Sequence, residues 1–297
     1  MIEKKSVQKH LRQMKPLSTF LKPGGALKEK IKCVLFDIYG TLFVSGSGDI
    51  SIADKKSPEI EKINQLLTKY SIRKSPQTLL NEFYRAIKTR HKELRSRGVD
   101  FPEVNIDRIW MKVLSNDDTD IVRQFAVEFE LIVNPVYPMP NLEKILSACR
   151  HRSILMGIIS NAQFYTPYLF KWFLDSDLKG LGFDPDLIFY SYRFEVAKPA
   201  PMLFRIAAEK LTAKGIPPSG VLYLGNDMLN DIYPAKGIGF QTALFAGDKR
   251  SLRLRSDDPR CKNLSADLVI TDLIQLIRHI QSNREKTSRS LRRALRS

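Results

Sequence analysis

The sequence predicts an α/β protein, a mostly parallel sheet with helices on both faces, interrupted by an all-helical insertion. Three observations predict it. From residue 142 to 281, short apolar runs alternate with amphipathic stretches, the rhythm of strand–helix–strand crossovers. One more apolar run, Cys33–Phe36, stands far upstream of them. Between the two, residues 52–134 carry apolar side chains at three- and four-residue spacing, which is helical periodicity.

The elements follow in order. Cys33–Phe36 (CVLF) is apolar throughout, as a strand buried on both faces would be. Gly46 and Gly48 in VSGSGDI then mark a turn, read as a small hairpin. Pro58–Tyr70, Ser75–Arg95, Asn105–Leu114 and Thr119–Ile132 read as helices, with Ser57-Pro58 and Ser75-Pro76 as N-cap plus first-turn proline. Asn134–Asn141 (NPVYPMPN) contains three prolines and reads as a connector. Helix Leu142–Arg150 leads to strand Ile154–Ile159, and helix Tyr165–Leu174 to strand Leu187–Tyr190. Helix Pro201–Lys214 leads to strand Val221–Leu224, and a short helix near Asp231–Lys236 to strand Gln241–Phe245. Strand Asp267–Ile270 and helix Thr271–Gln281 close a Rossmann-like pattern. The expected organisation is a basic N-terminal extension (1–31), an α/β core (32–51 and 135–281), a helical cap (52–134) and a basic C-terminal tail (282–297).

The formal charge of +16 points to a polyanion partner until it is divided. Residues 1–32 hold nine Lys/Arg against two Glu, and residues 281–297 hold six against one, so the ends carry 12 of the 16 charges. They read as solvated tails, dispensable for catalysis. Aromatic residues do not interleave with these charges, which argues against a nucleic-acid platform. No apolar run reaches the roughly 18 residues of a membrane span, and the N-terminus lacks a signal-type stretch. Cys33, Cys149 and Cys261 are few and odd in number, as reduced thiols of a cytoplasmic protein are.

Four strand ends carry polar residues: Asp37 after the first, Ser160-Asn161 in GIISNAQ, Lys198 in VAKPAP, and Asp227 with Asp231 in GNDMLND. Each alone also reads as a cap or a turn residue. Together they matter, because the carboxyl ends of parallel strands share one edge, where open α/β sheets bind ligands.

In this order the motifs resemble the haloacid dehalogenase superfamily: FDIYGTL for the first motif, ISN for the second, KP for the third and GNDMLND for the fourth. The resemblance covers roughly residues 33–281 and implies a helical cap inserted after the first strand. It implies Asp37 as the nucleophile of a covalent mechanism, with Lys198 neutralising charge beside it. Ser160 and Asn161 would hold anionic oxygens, and Thr41 would fix Asp37 or the transferring group. Asp37, the carbonyl of Tyr39, Asp227 and Asp231 would hold Mg²⁺, a hard cation that prefers oxygen ligands.

Tyr39 divides the family's activities. Its phosphatases carry a second aspartate there, which protonates the leaving oxygen. Dehalogenases carry tyrosine in a D-x-Y-G-T motif, as this chain does, because halide leaves without a proton. Against that, Asp227 and Asp231 have metal-site spacing, and Phe204 stands where dehalogenases have tyrosine. Asn226 takes the usual position of the first acid, so Asp227 fills that role one position later. The expectation is a Mg²⁺-dependent hydrolase of a small phosphorylated metabolite. A metal-free 2-haloacid dehalogenase, with a guanidinium from Arg73, Arg85 or Arg90 of the cap, and a non-catalytic binding protein of the same fold are the alternatives.

Overall fold

The computed structural model describes residues 2–46 and 60–280. Ser57-Pro58, the turn at Gly48, the boundary near residue 52 and the tail after 281 lie outside these residues. The nine strands among the described residues are β1 (Gly24–Gly25), β2 (Cys33–Phe36), β3 (Phe43–Ser45), β4 (Val136–Pro138), β5 (Leu155–Ser160), β6 (Phe183–Tyr190), β7 (Val221–Gly225), β8 (Gln241–Phe245) and β9 (Leu268–Ile270).

Seven of them form one sheet in the order β1-β9-β8-β7-β2-β5-β6, parallel except for β1 against β9. Helices Leu142–His151, Thr166–Leu174 and Met202–Ala213 connect its strands. β2 is central, and all four of its residues are buried, which is why it reads as a continuous apolar run. Register aligns the strand ends: Phe36 pairs with Ile158 on one side and Leu224 on the other. Asp37, Ser160 and Asn226 therefore emerge at one edge.

The insertion is helical over Ile60–Lys69, Pro76–Ser96, Ile106–Leu114 and Thr119–Val133. Ser75 caps the second of these by accepting from the backbone N–H of Thr78. Phe83 and Trp110 stack at 4.2 Å between ring centroids, and Phe125 and Phe129 meet Trp110 edge-on. These rings belong to the same buried cluster as Val34, Phe36 and Ile158, so the insertion shares its core with the sheet. None of the helices is long and apolar enough to cross a membrane, among the described residues.

Three expectations are corrected. The proline-rich stretch read as a connector supplies a strand, β4, which pairs antiparallel with β3. Two strands that flank an insertion can close its neck, and local turn signals cannot show that. The strand read as Leu187–Tyr190 begins at Phe183, inside the preceding loop. The N-terminal extension is not a solvated tail. Val7 is fully buried and Ile2 nearly so, and Trp172 Nε1 donates to Ile2 O at 3.3 Å. Thr19 Oγ1 donates to Ala246 O at 2.7 Å, and β1 then extends the sheet. Its lysines point outward while isolated apolar residues anchor it, a pattern that net charge conceals.

Candidate functional site

At the end of β2, Asp37 enters a loop that turns at Gly40, where φ is +81°. A Cβ there would lie 2.4 Å from Ser251 Cβ and 2.8 Å from Asn226 Nδ2, so only glycine permits the close approach. The turn carries Thr41 to the end of β7, where its hydroxyl donates to Asn226 Oδ1 at 3.0 Å. Thr41 therefore braces the Asn226 side chain rather than Asp37.

Asp37 is buried and lopsided. Its Oδ1 accepts from Ser160 Oγ at 2.9 Å and from Lys198 Nζ at 2.7 Å. Its Oδ2 accepts no hydrogen bond among the described residues, and Asp37 lines a cavity of about 360 Å³. Ser160 is fully buried and holds the aspartate, not an incoming anion as expected. Asn161 fixes the lysine loop, accepting from Lys198 N at 2.8 Å and donating to Lys198 O at 3.3 Å.

Lys198 also meets Asp231, with Nζ 2.5 Å from Oδ1. Burial opposes the ammonium charge, but Asp231 and Asp37 outweigh burial and hold Lys198 above the ordinary lysine value. Asp231 is satisfied on both oxygens: Oδ1 by Lys198 and Tyr223, Oδ2 by the backbone N–H groups of Asn226 and Asp227, each at 2.9 Å. Gly225 makes room for it, since a Cβ there would lie 2.4 Å from the Asp231 carboxyl.

Asp227 caps the turn Met228–Ile232 through the N–H groups of Leu229 and Asn230. It is also ion-paired to Arg255, with Nη2 2.7 Å from Oδ2 and Nε 3.2 Å from each oxygen. Magnesium needs oxygen ligands at about 2.0–2.1 Å in near-octahedral array. Both oxygens of Asp227 and of Asp231 are engaged. No group of three or more His, Cys, Asp or Glu able to hold a metal ion occurs among the described residues. The set expected from the resemblance, Asp37, Tyr39, Asp227 and Asp231, does not fit Mg²⁺ in this arrangement.

Tyr39 points its hydroxyl at Thr166 Oγ1, 3.0 Å away. Burial, reinforced by the charge of Glu130, pushes its phenol above the ordinary value against the Thr166 bond. Glu130, from the last cap helix, also lines the cavity and bonds Asn134 and Tyr165. Burial raises its carboxyl against those two bonds. Tyr84 and Ile87 of the cap add apolar lining.

Of the candidates, Asp37, Ser160, Lys198 and Asp231 form one connected cluster, with Asn161 and Asp227 beside it. Phe204 is buried against the Tyr223 ring, away from the cavity lining. The expected cap arginines do not line the cavity; Arg90 pairs with Glu93 of its own helix and with Glu195 of the α/β core. The guanidinium groups come instead from Arg253 and Arg255. Sequence reasoning missed them because they follow β8 without a motif, although SLRLR shows two arginines at period-two spacing.

Comparison with known proteins agrees with this architecture. An uncharacterized protein of Saccharomyces cerevisiae is 24% identical over 229 residues, 70% of this chain and 69% of that protein. A dehalogenase crystal structure is 14% identical with a TM-score of 0.50, over 86% of this chain and all of that one. A phosphatase structure from Thermococcus onnurineus is 20% identical with a TM-score of 0.50, over 84% of this chain and 97% of that one. The structural likenesses show the fold alone and include both activities. The family model of haloacid dehalogenase-like hydrolases matches residues 31–239, from the strand bearing Asp37 through the acids after β7. By that match, and by a sheet that gathers its motifs at one edge, the chain belongs to the haloacid dehalogenase-like hydrolases.

Proposed function

We propose that the protein hydrolyses a small anionic substrate through a covalent intermediate on Asp37, and that this substrate is a phosphate whose leaving group departs without a proton. The observation that carries the proposal is the asymmetry of the Asp37 carboxylate: Oδ1 is held by Ser160 and Lys198, while Oδ2 accepts no hydrogen bond among the described residues and Asp37 lines the cavity. Attack by Oδ2 on phosphorus forms an aspartyl phosphate as the bond to the leaving oxygen breaks. Water then attacks phosphorus, releasing inorganic phosphate and restoring Asp37. Lys198, Arg253 and Arg255 offset the anionic charge at this edge.

Tyr39 does not supply a proton, because its hydroxyl is committed to Thr166 and burial keeps it protonated. A poor alkoxide then leaves slowly, whereas an acyl or aryl oxygen leaves unaided. Measuring kcat/KM across phosphate esters of graded leaving-group pKa tests this. The expected gap between aryl and alkyl esters is at least about 10²-fold, the usual worth of general acid catalysis. A flat profile would show that another group donates the proton.

A second reading, hydrolysis of a carbon–halogen bond, is favoured by the same Tyr39 together with the engaged Asp227. Halide departure needs neither an acid nor a metal. Chloride release from 2-haloacids without any phosphate release would decide for it.

A further inference from the structure

Arg255 stands at the acid where a metal is expected in this family. Its guanidinium contacts both oxygens of Asp227. The chain around it is built to hold it there. Arg253 N donates to Asn226 O at 3.0 Å, and Met228 N donates to Arg253 O at 2.9 Å, so residues 251–255 run hydrogen-bonded beside the loop that bears Asp227. Asn226 Nδ2 adds a bond to Ser251 O at 2.6 Å. Arg255 itself has φ +54°, in the left-handed region that a side chain rarely adopts. A strained backbone at the residue that reaches Asp227 singles it out from the exposed arginines nearby. The Arg255 side chain remains 34% exposed, so the guanidinium meets the cavity as well as the acid.

Guanidinium is charged at every physiological pH and presents several N–H donors in one plane, matched to carboxylate and phosphate alike. Magnesium could reach Asp227 only by displacing this ion pair and shedding water, which it does reluctantly.

We propose that Arg255 is the built-in cation of the site: it neutralises Asp227, contacts the anionic group of the substrate, and excludes magnesium, so that hydrolysis runs without a metal. The proposal rests on Asp37 being the reacting group, but its central claim concerns metal binding and is testable without turnover.

Titration of the full-length chain with magnesium chloride, followed by calorimetry, is the experiment. Wild type should show no saturable binding, and any phosphate release should be unchanged by EDTA. Arg255→Met should gain saturable binding that Arg255→Met/Asp227→Asn lacks, while Arg255→Lys stays metal-free. The kcat/KM of Arg255→Met without magnesium should fall by roughly 10²-fold, the cost of losing one charge-stabilising contact. Should Arg255→Met fail to fold, Arg255→Gly suits the positive φ and serves in its place. Saturable binding by wild type that Asp227→Asn abolishes would overturn the proposal. So would Arg255 variants that fold and bind no magnesium. If no protein releases phosphate from any ester, the phosphohydrolase reading fails, while the titrations still decide the role of Arg255.

Discussion

Two buried carboxylates in this molecule are paired with lysine, and they are treated differently. Glu128, on the cap helix Thr119–Val133, is fully buried. Lys69, Tyr70 and Gln124 donate to its Oε1 at 2.5, 2.7 and 3.2 Å, and His10 of the N-terminal segment reaches Oε2 at 3.4 Å. Both oxygens are used. Asp37 has one oxygen held and one left open to a cavity. The difference teaches where to look for chemistry: a satisfied carboxylate fastens elements together, and one satisfied on a single side is positioned with a lone pair to spare. Here Glu128 ties the N-terminal segment to two cap helices. Asp37 is held on one oxygen by Ser160 at the end of β5 and by Lys198 from the loop beyond β6.

The widest separation between the two should appear in Asp37→Asn. Activity should fall by at least about 10³-fold, as loss of a nucleophile does. Stability should hold or rise, because Lys198 keeps Asp231 and one of two neighbouring carboxylates is gone. Phosphate-release kinetics and a melting curve on the same preparation check both halves. Residual activity above a tenth would remove the proposed role.

Glu128→Gln should do the reverse, sparing kcat and costing about 2 kcal/mol of stability. That is less than the roughly 3–5 kcal/mol of a fully buried pair, because Lys69 remains 42% exposed. Burial pushes the Glu128 carboxyl up, but the bonds from His10, Lys69, Tyr70 and Gln124 outweigh it and hold it at about 2. Its folded value lies below the ordinary 4.5. Its contribution is therefore complete above about pH 4.5 and is lost as pH falls toward 2. Urea unfolding at stepped pH should show a steeper acid loss in wild type than in Glu128→Gln. Parallel curves would mean that Glu128 does not carry the acid sensitivity.

The smallest effect is expected at Tyr39→Phe. It removes one hydrogen bond, to Thr166, for a net cost of about 1 kcal/mol. Activity should stay within about threefold, since burial holds this phenol above the ordinary tyrosine value and it transfers no proton at neutral pH. A fall of two orders of magnitude would bring the tyrosine into the reaction.

Much of the fold was legible because its signals are local. CVLF is buried on both faces and reads so; Ser75-Pro76 starts a helix where it should; four strand ends carry polar residues. Parallel register then brings Asp37, Ser160, Lys198 and Asp231 together, a consequence of topology that alternating strands and helices already imply. The N-terminal segment was misread because Ile2, Val7 and the Gly24–Gly25 strand are isolated anchors among lysines. Their burial depends on what they meet, not on any period of their own.

By itself, then, the sequence determined the α/β class, the helical insertion and the edge at which polar residues gather, since hydrophobic periodicity and strand ends are properties of neighbours in the chain. Only the tertiary structure decided that Asp227 faces Arg255, that Asp231 belongs to Lys198, and that Ser160 holds Asp37. Those partners lie 28, 33 and 123 residues apart. A carboxylate's role depends on which cation reaches it first, and that is fixed by loop path and register across the sheet. Spacing along the chain names the acids; the fold chooses what neutralises each one.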